Sequence, residues 1–466
     1  KPNCFQASKS ELRDRRAKKP SFITPGGSRL SDLDDDDLVE TLRSTAGALA
    51  SRGGRNKKAS SPDDRQKKKG GKEDSGRVGV LFKLTVCQHF MLLFAMLAFG
   101  FVAMLLFMPN PIDPVAYQLP PQPPAVGPLA ANDRLAAARK LLVGAVRGPE
   151  SFVFVGEHLF TGTLDGRIVR VHLASEQPEL WVRFGPANCS LQKSFSPIRC
   201  GRPLGLRRHP SNRSRLLVAD AYLGLIDVNL DKRQFQSIID RSNPIGVTFF
   251  DDLDVTPDGE LVFISEASTR YPLHQLMHQM LEGSSNGRLI MMNMTSGHAA
   301  TVLEGLSFPN GVQLHPDGQS VLVAETSGFK IIRYYFAGPM AGQTRTFADN
   351  LPLGPDNIRL SSDGKHLWVS GSLARLAGLR SSADLMGQRT WLRLAAAKIL
   401  PGPLLHNMAA GHYGLVLRLA INDGRIIDSL HDTQGKQITH SSEVQDYNGR
   451  LFIGTYYGPY LATLDL

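Results

Sequence analysis

The sequence predicts an all-β protein, a six-bladed β-propeller, carried on a single-pass type II membrane anchor. Three observations predict it. One run, Leu84–Met108, contains no Asp, Glu, Lys or Arg. After it, one hairpin pattern returns six times. Second hairpins lie between the returns, so a unit offers four strands, the number in one propeller blade.

The elements are justified in chain order. Of the 466 residues, 42% are hydrophobic and 21% charged, which permits a large core and excludes a wholly disordered or collagen-like chain. The net charge of +10 is unevenly placed. Residues 1–83 hold 20 Lys and Arg against 12 Asp and Glu, whereas the remainder holds 33 against 31. The surplus belongs to a tail, so a basic nucleic-acid-binding face is not expected on the folded part. High charge with few apolar groups predicts that residues 1–83 are disordered. Because the chain opens on Lys1 instead of Met, its natural start is expected to be missing or misassigned.

Residues 84–108 are long enough to cross a hydrocarbon core of ~30 Å as a helix. A soluble core helix is rarely apolar on every side over such a length, and a signal peptide would lie nearer the N-terminus. Lys67–Lys69, Lys72, Arg77 and Lys83 precede the run, and no Lys or Arg follows until Arg134. The positive-inside rule puts the tail in the cytoplasm and the head in the lumen or outside the cell, with the lipid bilayer as a partner. All three N-x-S/T sequons, at Asn188, Asn212 and Asn293, then fall on the side where glycosylation occurs. Cys189 and Cys200 are the only cysteines of the head, and an oxidising compartment favours their pairing over two separate buried thiols.

Residues 109–128 read as an extended Pro-rich stalk, and the spacing over Asp133–Val146 predicts a helix covering part of the head. The propeller is expected over 148–466. Its six units are 152–163, 204–221, 252–267, 312–326, 358–372 and 443–457, with Asp-Gly or Asn-Gly turns in several of them. Second hairpins occur at 287–305 and 414–432. Near 373–412 an insertion with helical spacing at Trp391, Leu392, Ala395 and Ile399 reads as a lid, as a membrane-surface helix, or as a helix simply packed on a blade.

Chemistry is sought where loops from all blades converge. Glu150 precedes the first unit, Asp251 and Asp252 stand before the LDVTPDG of the third, Asn310 precedes the fourth, and Asp356 with Asn357 the fifth. Each stands at the entrance of its blade's first strand. Carboxylate and amide oxygens without Cys or His suit a hard cation, Ca²⁺ ahead of Mg²⁺. The competing reading is that they are ordinary turn residues. No H-E-x-x-H motif or Walker loop occurs. His209, His315 and His366 fall at hairpin turns, where solvation is the simpler reading.

CGRPLGL (200–206), LLVADAYLGL (216–225), FPNGVQLHPDG (308–318), the long segment 323–369 and the SEV…NGRLFIGT ending resemble the strictosidine synthase-like propellers. The resemblance covers about residues 80 to 466. It implies six blades and a Cys189–Cys200 pair. Through the wider paraoxonase and gluconolactonase superfamily it also implies a channel Ca²⁺ held by Glu150, Asp251 (where Asn is usual), Asn310, Asp356 and Asn357. Two departures stand out. Paraoxonases have a histidine in a P-H-G segment where this chain reads Pro203-Leu204-Gly205. Strictosidine synthase has a glutamate near the E-V-Q segment where Ser442 falls here, with Glu443 expected on the other face. Two functions follow as expectations. One is a Ca²⁺-dependent hydrolase of aryl or similar small esters, with Asp251 or Asp252 as base. The other is an adhesion or binding receptor for an unknown extracellular ligand, with a structural metal; true strictosidine synthase activity is not expected.

Overall fold

The computed structural model describes residues 74–189, 197–409 and 411–466. The tail expected to be disordered falls mostly outside them. Helix α1 (Asp74–Phe107) begins ten residues before the apolar run. Backbone bonding does not depend on hydropathy, so a helix can outlast its apolar stretch. Its segment Gln88–Phe107 has mean hydropathy 2.7 and is wholly unburied, so it is long and apolar enough to cross a membrane.

The helix expected over Asp133–Val146 is not formed. A 3₁₀ turn over Arg134–Ala137 leads into strand β1 (Arg139–Leu141). Leu135 and Leu141 are buried, and Arg139, Lys140 and Leu141 pair with Thr463, Ala462 and Leu461. An unpaired edge strand at the end of the chain overrides the local helical spacing.

Blade one is β2 (Phe152–Val155), β3 (His158–Gly162), β4 (Arg167–His172) and β5 (Pro178–Arg183). After the short helix α2 (Pro197–Cys200), blade two is β6 (Pro203–Arg208), β7 (Arg215–Asp220), β8 (Gly224–Asn229) and β9 (Gln234–Ile239). Blade three is β10 (Phe250–Val255), β11 (Leu261–Glu266), β12 (Gly287–Asn293) and β13 (Ala299–Leu306), with α3 (Leu276–Glu282) inserted before β12. Blade four is β14 (Pro309–Leu314), β15 (Ser320–Glu325), β16 (Lys330–Tyr335) and β17 (Thr344–Ala348). Blade five is β18 (Pro355–Leu360), β19 (His366–Gly371), β20 (Gly414–Ala420) and β21 (Ile426–Asp432). Between β19 and β20 lie α4 (Ser382–Met386), α5 (Thr390–Ile399) and α6 (Gly402–Ala409). Blade six is β22 (Ser441–Tyr447), β23 (Arg450–Thr455) and β24 (Leu461–Asp465), completed by β1 as its outermost strand. The fold is a six-bladed propeller, closed by a strand from before blade one.

Both faces of each sheet are covered, so strands alternate between two cores. In β7, Leu216 and Val218 face a cluster shared with blade one, while Leu217 and Ala219 face blade three. An apolar cluster fills each of the six junctions between neighbouring blades. Cys189 and Cys200 form a disulfide, tying the connection between blades one and two.

In each blade the first and third strands leave one end of the channel, and the second and fourth return to it. The insertion carrying α3 and the one carrying α4–α6 both join a second strand to a third. They therefore lie at the end where the inner strands begin, and together they form a helical cap. Leu281 of α3, Leu394 and Ala397 of α5, and Leu405 of α6 share one cluster with Ile112 and Tyr271.

Candidate functional site

Five inner strands carry the same irregularity. In β6, Pro203 pairs with Asp220 and Leu206 with Val218, three residues advancing against two. The step recurs between Phe250 and Leu253, Pro309 and Val312, Pro355 and Ile358, and Ser441 and Val444. A bulge of this kind bends the strand and re-aims a side chain. The bulged pairs are Leu204-Gly205, Asp251-Asp252, Asn310-Gly311, Asp356-Asn357 and Ser442-Glu443, and Glu150-Ser151 stands at the matching point before β2. All the oxygen donors singled out from the sequence sit at this one level of the channel.

Glycine at two of these positions is dictated by close approach. A Cβ on Gly205 would lie 2.5 Å from Asp252 Oδ1, and one on Gly311 would lie 2.5 Å from the Ile358 nitrogen and 2.6 Å from the Asp356 carbonyl oxygen. Serines hold the rest of the ring. Ser442 Oγ donates to the Glu150 carbonyl at 2.7 Å, and Ser370 Oγ donates to the Asn357 carbonyl at 2.9 Å.

Glu150, Asp251, Asn310 and Asn357 are buried, while Asp356 keeps partial exposure. Asn357 Nδ2 donates to Glu150 Oε1 at 3.0 Å. The charges do not balance. Burial, then the Asp251 and Asp356 carboxylates, push Glu150 well above the usual carboxylate range. Burial, then Asp356 and Asp252, do the same to Asp251. Burial carries Asp356 up to about 8, against a hydrogen bond from Asn310. Arg202 is a buried cation whose guanidinium offsets part of this, but it donates to the Gly148 and Tyr456 carbonyls at 2.6 and 2.7 Å, not to a carboxylate.

Glu150 Oε2, Asn310 Oδ1 and Asn357 Oδ1 are buried with no hydrogen-bond partner. These orphaned oxygens, together with the mutually repelling carboxylates of Glu150, Asp251 and Asp356, fit the preferences of a hard cation. No three His, Cys, Asp or Glu side chains among the described residues stand at ligating spacing. Cation binding here would therefore depend on the amide oxygens of Asn310 and Asn357.

Asp252 belongs to a different arrangement. It is fully buried, its Oδ2 accepts from Arg359 Nη1 at 2.7 Å and from the Val312 N–H at 2.8 Å, and its Oδ1 accepts from Arg359 Nη2 at 3.1 Å. Arg359 also pairs with Glu443, which is itself buried. This network fills the channel below the donor ring and argues against Asp252 as a proton acceptor. Beyond it, a cavity of about 420 Å³ opens at the far end, lined among others by Arg207, Asp254, Gln313 and Tyr447. The donor ring is thus approached from the cap side.

There the sequence reading missed several groups. Tyr456 lies near enough to Asp251 and Asp356 to feel both, and burial raises its phenol to about 12. The ring of His406, from α6, stands 5.7 Å from that of Tyr456. Burial, then His406 and His412, lower His440 to about 4, so it stays neutral. Arg202 had a signal, the position before Pro203-Leu204-Gly205; the histidines fall outside the repeat and had none. Leu204, where a paraoxonase-type histidine would stand, sits in an apolar cluster with Tyr222, Phe249 and Phe308.

Family models match in two places, strictosidine synthase over residues 251–339 and the strictosidine synthase-like N-terminal region over 127–171. Adipocyte plasma membrane-associated protein of Bos taurus is 35% identical over 400 residues, covering 85% of this chain and 93% of its own length. The chain belongs to the strictosidine synthase-like family, among the adipocyte plasma membrane-associated proteins. Strictosidine synthase-like 10 of Arabidopsis thaliana is 31% identical over 354 residues, 74% of this chain and 91% of its own length. Among solved structures, a gluconolactonase from Xanthomonas campestris aligns with TM-score 0.46 and 16% identity, over 77% of this chain and 99% of its own. In this strictosidine synthase-like chain the sequons are unequally placed: Asn188 and Asn212 are exposed, and Asn293 is half-buried in its own turn.

Proposed function

We propose that this chain is a membrane-anchored, Ca²⁺-dependent hydrolase of aryl or similar small esters. Helix α1 spans the bilayer in type II orientation, with the head luminal or extracellular. The observation that carries the reading is the ring of orphaned oxygens and unbalanced carboxylates at the capped end of the channel.

Glu150, Asp251, Asn310, Asp356 and Asn357 would hold the cation. When bound, Ca²⁺ supplies polarisation of an ester carbonyl and stabilisation of the oxyanion. Arg202 offsets part of the ring's negative charge, and Ser442 and Ser370 fix its backbone. Asp251 takes the proton of the attacking water at its carboxylate, Asp252 being committed to Arg359. The Arg359–Asp252–Glu443 network excludes water from the far side, and Tyr456 with His406 walls the near side.

The test is phenyl acetate hydrolysis by the full chain, after chelation and after restoring Ca²⁺, with circular dichroism recorded in parallel. Loss and recovery at an unchanged spectrum supports the hydrolase. Undiminished hydrolysis by folded Glu150→Gln or Asn310→Ala would sink it. The presence of Leu204 in place of a histidine favours a second reading, a binding propeller with a structural metal. No hydrolysis in either state, with a melting temperature that drops on chelation, would establish that alternative.

A further inference from the structure

The cap carries apolar groups that stay exposed among the described residues. Trp391 is 70% exposed, Met408 66% and Leu385 60%, and Ile399 and Leu404 are also exposed. Their helices, α4 to α6, bury their other faces against α3 and the segment around Ile112. Residues 373–409 hold five Lys and Arg against one acidic residue, Asp384. Of these, Arg380 and Arg389 are exposed.

The cap is gripped where α1 ends. Lys398 Nζ of α5 donates to the carbonyls of Leu105 at 2.7 Å and Met108 at 2.9 Å. Leu105 is in the last turn of α1 and Met108 follows its end, where carbonyls lack helical partners and favour a cation. The chain is then bound continuously to the cap. Ile112 is buried, and the Asp113 N–H donates at 3.0 Å to Glu282 Oε2, which also accepts from Tyr271 Oη. Arg393 donates to the Val115 carbonyl, and its guanidinium stands over the Tyr117 ring. The expected free stalk is, in this stretch, a strap on the head. From Met108 to Ile112 the chain can extend at most about 14 Å.

We infer that the exposed edge of α4–α6 seats in the headgroup region of the membrane that α1 crosses, turning the capped end of the channel toward the bilayer. This rests on the anchor reading above. A helix that spans the bilayer ends at its boundary, and the Lys398 clasp and the short leash hold the cap beside that boundary. The patch has the chemistry of the place: a Trp at the water–hydrocarbon border, aliphatic groups beside it, and basic groups for anionic headgroups.

Trp391 is its own probe, being one of three tryptophans. The full chain is reconstituted into phosphatidylcholine–phosphatidylserine vesicles, and the signal of Trp391 is isolated by subtracting the spectrum of Trp391→Phe. The expected difference spectrum is blue-shifted, quenched by phospholipids brominated near the top of the acyl chain, and insensitive to aqueous iodide. A red-shifted signal quenched by iodide and silent to bromolipid, in protein that alkaline carbonate does not release, overturns the seating and leaves the anchor standing. Release by carbonate overturns both.

Discussion

Glu150 and Asp356 decide how the channel responds to pH and to calcium. Asp356 stands at about 8 in the fold, above its ordinary 3.8, chiefly through burial. A carboxyl raised in this way stabilises the fold fully below its unfolded pKa, and that stability is lost as pH rises through the folded value. Metal-free protein is therefore expected to lose melting temperature between about pH 4 and pH 8, whereas with saturating Ca²⁺ the decline flattens or reverses. Melting curves in metal-stripped and Ca²⁺-containing buffers check this, and parallel curves would mean that no cation enters the ring. Glu150→Gln removes one repelling charge, so it is expected to raise the melting temperature of the metal-free protein while abolishing the gain from Ca²⁺. Both signs come from the same scan. Arg359 works in the opposite sense, since it is the cation that Asp252 and Glu443 require. Arg359→Met removes the ion pair of buried Glu443 and leaves Asp252 with Arg207 at 3.7 Å, and a loss of about 3–5 kcal/mol is expected in denaturant titration.

The bulges position these groups, and they explain what could and could not be read in advance. The six hairpins were legible because each follows period-two alternation into a turn. The donor residues were legible because they recur at one point of that repeat. The bulge itself left no compositional trace except at Gly205 and Gly311, where a neighbouring bulge comes within 2.5 Å of a would-be Cβ. Strand β1 was unreadable for a different reason. Its partner Leu461–Asp465 lies at the other end of the chain, and local spacing over Asp133–Val146 favoured a helix. His406 reaches the site by tertiary placement alone, whereas Arg202 directly precedes the first strand of blade two. Gly311→Ala tests the bulge directly. The methyl must displace the Asp356 carbonyl or the Ile358 nitrogen, so Ca²⁺ affinity is expected to fall several-fold with the blades intact, measured by calorimetric titration beside circular dichroism. An unchanged affinity would show that the bulge backbone does not set the ring.

The molecule as a whole must satisfy one orientation, and its parts constrain it independently. Asn212 lies in the turn between β6 and β7 and Asn293 at the end of β12 where the turn to β13 begins, both at the end of the channel opposite the cap. Asn188 is at the capped end, but in the connection between blades one and two, whereas the cap helices come from blades three and five. Glycans on the first two would point away from a membrane against which the cap is seated. A persistent Cys189–Cys200 disulfide would favour the same oxidising side of the bilayer as glycosylation of the sequons. On the proposed topology, full-length protein from secretory-pathway membranes is expected to shift in electrophoretic mobility on endoglycosidase treatment, and Asn212→Gln to remove one step of that shift. The same preparation should show no free thiol at Cys189 or Cys200 before reduction. Reversed insertion predicts the contrary in both assays, no shift and two reactive thiols. The two readouts rest on different chemistry, so agreement between them would fix the side of the membrane on which the propeller works.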